Sequence, residues 1–209
     1  MRLPFIYGAA TQTGREDELR RNQVLDAAAE CFRREGFHGC STATICQVAG
    51  ISPAGLYRYF ASKEAMVEAI AAREESDMAE LVRRMEQDAG GGNLASRLIR
   101  RTQEMVERNS NPASVGLMLE LAAEAARNPA VAKILQRTDR AVKKRFLDMT
   151  RRIGLPEGLD ESTLMTRMDM IAALFSGLAL RSVVDLRRDR ATAVNMTNEQ
   201  VRLLIGSPS

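Results

Sequence analysis

Tyr57, Arg58, Tyr59 and Lys63 close a segment rich in small hydroxyl residues, GFHGCSTATICQVAGISPAGLYRYFASK, at residues 36–63. This segment contains no Asp or Glu, although 27% of the 209-residue chain is charged. Hydroxyl groups donate hydrogen bonds, Arg and Lys bring positive charge, and no carboxylate is present to repel an anion. That chemistry suits a polyanion, with double-stranded DNA the leading candidate. Catalysis is not expected. The one histidine, His38, lies within the same segment, and the chain shows no nucleophile–base pair and no phosphate loop. His38, Cys40 and Cys46 are close in sequence, but zinc sites use four donors, usually in tighter pairs. Neither a metal nor a cofactor is therefore expected.

These side chains have to be presented by helices. Ala, Leu, Met, Arg and Glu dominate, Pro is rare, and no stretch alternates with period two, which predicts an all-α protein. A first helix is expected over residues 15–35, with Val24, Leu25, Ala28, Cys31 and Phe32 on one face and Gly36 as a left-handed stop. A second runs from about Ser41 to Val48, ending near Gly50. Ser52 followed by Pro53 starts a third, since Ser caps and Pro fits the first helical position. Ser62 caps a fourth, carried by Met66, Val67, Ile70, Met78, Leu81 and Met85 to the break at Gly90-Gly91-Gly92. Longer amphipathic helices follow. The fifth holds Leu94, Leu98, Thr102, Met105 and Val106. The sixth should turn Val115, Met118, Leu119, Ala122 and Ala125 inward, and the seventh Val131, Leu135, Val142, Phe146 and Met149. The eighth is expected from about Asp160 to Leu186, and a short ninth from Thr197, giving about nine helices.

Three cysteines, an odd number, suit free thiols in a reducing cytoplasm. Cys31 and Cys46 read as small apolar residues on inward faces, and a redox role for Cys40 is the weaker alternative. No run approaches 18 apolar residues, so no membrane span is expected. The opening residues MRLPFIYGAATQTG make a poor signal peptide and read as a flexible arm. Net charge is only +3, so the local absence of acid, not bulk basicity, carries the polyanion reading.

Over roughly residues 20–70 the chain resembles the N-terminal DNA-binding domain of TetR/AcrR-family transcriptional regulators. The resemblance rests on Ala27-Ala28, Phe32, Gly36-Phe37, Ser41, Ile45, Ala49-Gly50-Ile51-Ser52, Leu56-Tyr57, Tyr59-Phe60 and Ser62-Lys63-Glu64, in order and without a gap. Cys40, Thr44, Cys46 and Ala54 depart from the usual pattern, which leaves the operator unpredictable. The resemblance implies an N-terminal three-helix helix-turn-helix domain at residues 15–61, after an arm at 1–14. A larger C-terminal helical domain for ligand binding and dimerisation would span 62–209, with helix 62–88 as a shared connector.

On that reading Pro53, Ala54 and Gly55 make a narrow end of the recognition helix, where backbone approaches DNA closely. Arg58 is a candidate for base contact, and Gln47 for base or backbone contact. Ser41, Thr42, Tyr57, Tyr59 and Lys63 would hold phosphates. Met105, Leu119, Phe146 and Met168 are candidates for the pocket of a small, largely apolar effector. Ala173, Ser176, Gly177 and Leu180 are candidates for the homodimer interface. The Glu120 and Glu124 pair reads as a solvated face. The implied function is a cytoplasmic, ligand-released repressor. The rivals are a helical ligand-binding adaptor that has lost DNA binding, and a transcriptional activator.

Overall fold

In the structure, a computed structural model, residues 12–185, 187 and 189–206 are described. The expected arm thus lies mostly outside the described residues, as does Leu186, the expected end of the eighth helix. Nine α-helices and no strand occur among the described residues: α1 (Gln12–Gly39), α2 (Thr42–Ala49), α3 (Pro53–Tyr59), α4 (Lys63–Glu86), α5 (Leu94–Arg108), α6 (Pro112–Ala125), α7 (Pro129–Ile153), α8 (Glu161–Val184) and α9 (Arg190–Ile205). Two compact units divide between Met66 and Val67, within α4. The junction expected at residues 61 and 62 precedes the same helix.

The first unit is a small core closed by three helices, of which α2 and α3 are capped. α1 breaks at Gly36, whose φ of 74° and ψ of 165° are open to a residue without Cβ. The stop comes where expected, in a more extended conformation than a left-handed cap. Ser41 caps α2 by accepting from the Thr44 amide at 3.0 Å, and Gly50 ends it at φ 63° and ψ 37°. Ser52 caps α3 by accepting from the Gly55 amide at 3.1 Å, with Pro53 in the first turn. Val24, Ala28, Phe32, Ile45, Leu56, Phe60 and Met66 are fully or nearly buried. Burying each of the larger of these side chains contributes about 1.5–3 kcal/mol. Gln23 Nε2 donates to the Ala49 carbonyl at 3.1 Å and ties α1 to the end of α2.

Cys31 and Cys40 form a disulfide, with Cα atoms 5.6 Å apart, and Cys46 is a buried free thiol. This corrects the expectation of three free cysteines. The break at Gly36 folds the chain back, so that Cys40 meets the last turns of α1. Sequence spacing alone does not reveal that approach.

In the second unit α5 packs on α9, α6 on α7, and α8 against α5, α6, α7 and α9. Leu81, Met85, Leu94, Leu98, Phe146, Met149, Leu164 and Ile205 form its core. The glycine-rich turn before α5 is closed by Arg97, which donates to the carbonyls of Met85, Glu86 and Gly92.

Three expectations need correction here. α9 starts at Arg190, capped by Asp189, and not at Thr197. Its early turns bury Ala193 and Thr197, a stripe too small and polar to read as apolar. α6 is rotated from its expected face, burying Leu121 and Glu124 and exposing Ala122. Glu124 is 0% exposed; Arg127 pairs with it at 2.9 Å and Asn128 Nδ2 donates to it at 2.9 Å, so it is no solvated face. Apart from these corrections, α8 passes the length and composition test for a membrane span, with mean hydropathy 1.3 over 18 residues, although no uninterrupted apolar run is that long. Only 28% of that window is buried.

Two expected outcomes follow from these contacts. Asp189 is held below the usual carboxylate range by hydrogen bonds from Thr192, side chain first and then amide, and Asp160 likewise by the Thr163 amide. A lowered pKa means that each cap stabilises above the unfolded value of about 4 and fails as pH falls through the folded value. Replacing Asp189 with Ala should lower the urea midpoint at neutral pH, and the deficit should shrink in acid. An unchanged midpoint at pH 7 would count against the cap. Thiol titration of the denatured, unreduced chain should find one thiol, Cys46, and three after reduction. Three before reduction would rule out the bridge.

Candidate functional site

The acid-free segment folds into α2, the turn at Gly50, and α3, and its polar residues reach the surface. Ser41, Gln47, Pro53 and Ala54 are exposed, and Thr42 and Gly55 are partly so. Tyr57 is 55% exposed and so is not part of the core. Its helix neighbour Leu56 is fully buried and sets the face that Tyr57 and Arg58 present. Gly55 has no positive φ, and a Cβ there would meet Ser52 Oγ and Ile51 Cβ at 3.4 and 3.8 Å, ordinary contact distances. Neither backbone conformation nor packing within the unit requires this glycine.

Three charged or phenolic residues have partners that sequence did not reveal. The Arg58 guanidinium pairs with Asp17 of α1 while its side chain stays 67% exposed. The Tyr59 hydroxyl donates to the same Asp17 Oδ1 at 2.9 Å. That hydrogen bond, then burial, then the Asp17 charge push the Tyr59 phenol above its ordinary pKa. Asp17 lies outside the acid-free segment, in a charged run that reads as a solvated face, so no local signal marked it. Lys63, expected to hold a phosphate, instead donates to the carbonyls of Phe37 and Cys40, the latter at 3.1 Å, and lies 4.5 Å from the Phe37 ring centroid. Its ammonium closes the turn after α1.

The second unit contains a cavity of about 420 Å³ between α4, α5, α7 and α8, within the range of roughly 300–1,000 Å³ common for small-molecule sites. Of the expected residues, Met105, Phe146 and Met168 line it. Leu119 does not, because it is on α6, which contributes nothing to the wall. Ser176, expected at a subunit interface, lines the cavity as well. Missed from sequence are the lining residues Met78, Leu81, Leu98, Val142, Ile171 and Phe175, and a charged rim. Ala173, Ser176, Gly177 and Leu180 are all exposed on α8. No cluster of three or more His, Cys, Asp or Glu able to hold a metal occurs among the described residues.

A capped helix pair with a short turn and an exposed, acid-free second helix defines a helix-turn-helix DNA-binding protein. Residues 24–70 match the family model described as bacterial regulatory proteins, tetR family. Residues 95–206 match that of the BetI-type transcriptional repressor, C-terminal. The chain belongs to the TetR family of transcriptional regulators, which are ligand-responsive, DNA-binding and dimeric. It is 28% identical over 194 residues to the HTH-type transcriptional regulator UidR of Escherichia coli K12, covering 91% of this chain and 93% of that protein. RutR of the same strain is 36% identical over 69 residues, 32% of each chain. Among solved structures, Salmonella enterica GusR superposes with a TM-score of 0.72 at 25% identity, covering 90% of this chain and 95% of that one.

Exchange of Asp17 for Asn tests the Arg58 contact. It removes a carboxylate next to a guanidinium that faces solvent, so affinity for non-specific duplex DNA should rise severalfold at low salt. The Tyr59 phenol should move back down toward its ordinary range, read by ultraviolet titration of the chain's three tyrosines. An unmoved phenol titration would show that Asp17 does not hold Tyr59 in solution.

Proposed function

We propose that the protein is a homodimeric repressor that occludes a promoter at a near-palindromic operator and is released by a small molecule bound in the α4–α5–α7–α8 cavity. The observation that carries this is the exposed acid-free face of α2 and α3 within a chain of this family. Gly55 supports close approach: helix-interior glycine costs about 0.5–1 kcal/mol relative to Ala, and the unit's own packing does not demand it. Arg58 is the base-reading candidate, able to exchange Asp17 for a guanine edge. Ser41, Thr42 and Tyr57 take the phosphate-holding role, with Gln47 beside them. Tyr59 and Lys63 serve chiefly to hold the face in shape. DNA as partner fits a cytoplasmic location.

Dimerisation is supported by apolar groups left uncovered. Met170, Leu180, Val183 and Val184 on α8 and Met196 and Leu203 on α9 are at least half exposed, Leu203 to 72%. Ala173 and Gly177, also exposed on α8, allow a second helix to come close. Two recognition helices about 34–36 Å apart, one DNA turn, would then meet successive major grooves. The effector can shift the equilibrium between bound and released forms only by its differential affinity for them.

Selection of random duplex DNA on the purified protein, followed by anisotropy at two salt concentrations, tests the reading. A near-palindrome bound at nanomolar concentration with strong salt dependence is expected. Arg58→Ala should lose about 1–3 kcal/mol of operator binding and relax one base position. Failure to enrich any motif, with only weak binding at low salt, would favour the adaptor reading.

A further inference from the structure

We propose that the cavity between α4, α5, α7 and α8 takes an amphipathic cation, an apolar body carrying a protonated amine that ends among the rim carboxylates. This deepens the reading of that cavity as the effector site and rests on it. The floor is apolar, with Phe146, Phe175, Met78, Met105 and Met168 among its walls. The rim is not neutral: six carboxylates line the cavity, from Glu74, Asp77, Glu80, Glu104, Asp139 and Asp169, against three cations, from Arg84, Arg108 and Lys143.

How these charges pair decides which ligand charge the rim favours. Each cation is shared between two acids. Lys143 bridges Asp139 at 2.9 Å and Asp169 at 2.8 Å, and these bonds, that to Asp169 first, hold its ammonium pKa above the ordinary value. Arg108 pairs closely with Glu74 and reaches Asp77 only at 3.9 Å. Arg84 pairs closely with Glu104 and lies 4.0 Å from Glu80, which also holds Arg83 outside the cavity. An anionic ligand would have to displace a carboxylate from its cation and then sit beside that carboxylate. A cationic ligand displaces nothing and meets negative charge in excess. Asp77 is the first candidate contact, because its rim cation already holds Glu74 more closely. Phe and Met beside such a site add favourable contacts to a cation and its apolar stem.

The test uses three probes with one apolar body: 4-phenylbutylamine, 4-phenylbutan-1-ol and 4-phenylbutyrate. Calorimetric titration of the full chain at low salt should give affinity for the amine at least about tenfold above the alcohol and the carboxylate. Exchange of both Asp77 and Asp169 for Asn should erase that preference. Asp148→Asn, outside the cavity, should leave it, and circular dichroism confirms that each variant is folded. Equal affinities, preference for the carboxylate, no amine binding at millimolar concentration, or a preference that survives the double exchange would each overturn the proposal. Operator binding by ligand-free protein is measured alongside. DNA binding without amine preference sinks this inference alone, whereas amine preference without DNA binding sinks only the regulator reading.

Discussion

The chain reversal at Gly36, near the end of α1, is the constraint on which the DNA-facing unit depends. Gly36 turns the backbone where a Cβ would be strained, and Phe37 drops into the core beside Phe32, with ring centroids 5.4 Å apart. The reversal leaves the Phe37 and Cys40 carbonyls needing donors, and Lys63, at the first turn of α4, supplies them. The Cys31–Cys40 bridge fastens the same turn from its other side. α2 therefore starts at a fixed place, Gly50 turns the chain into α3, and Leu56 seats that helix with Tyr57 and Arg58 outward. Remove the reversal and every polar group of the recognition face loses its position.

Charge on that face is managed from a distance. The segment that should meet DNA contains no acid of its own, yet Asp17 of α1 reaches Arg58 and Tyr59. One carboxylate thus keeps a long, flexible cation and a phenol in a single arrangement before any nucleic acid arrives. For Tyr59, which keeps this partner, that fixes the ring where it shapes the face. Asp17 also puts a competing negative charge next to a residue that is expected to meet a polyanion, which favours contacts strong enough to replace it.

The second unit separates its two proposed tasks by side-chain type. The cavity has an apolar floor and a rim of shared ion pairs, whereas α8 and α9 leave Leu180, Val183, Val184 and Leu203 uncovered. α8 contributes to both, since Met165, Met168 and Ser176 line the cavity while Leu180, Val183 and Val184 are exposed. The proposed dimer would account for the apolarity of α8: with one side in the unit and another meeting a partner helix, few positions would remain for charge.

Much of this was legible in the residues themselves. Gly36, Gly50 and Ser52-Pro53 punctuate helices through local backbone chemistry, and local chemistry is what a sequence carries. The core faces of α4, α5 and α7 could be read for the same reason, because apolar side chains recur at helical spacing. Tertiary structure decided whatever joins distant positions. Asp17 meets Arg58 across 41 residues, Cys31 meets Cys40 only because of the reversal, and Leu119 is turned away from a cavity that Met105, Phe146 and Met168 share. α9 starts a full two turns early because Ala193 and Thr197 are buried by α5 and α8, not by their own apolarity. The sequence by itself determined where most helices begin and end, the start of α9 excepted, and which residue types could bind a polyanion. Which charges are neutralised, and which walls enclose a ligand, depended on helix packing, since Coulomb and van der Waals contacts act through space and not along the chain.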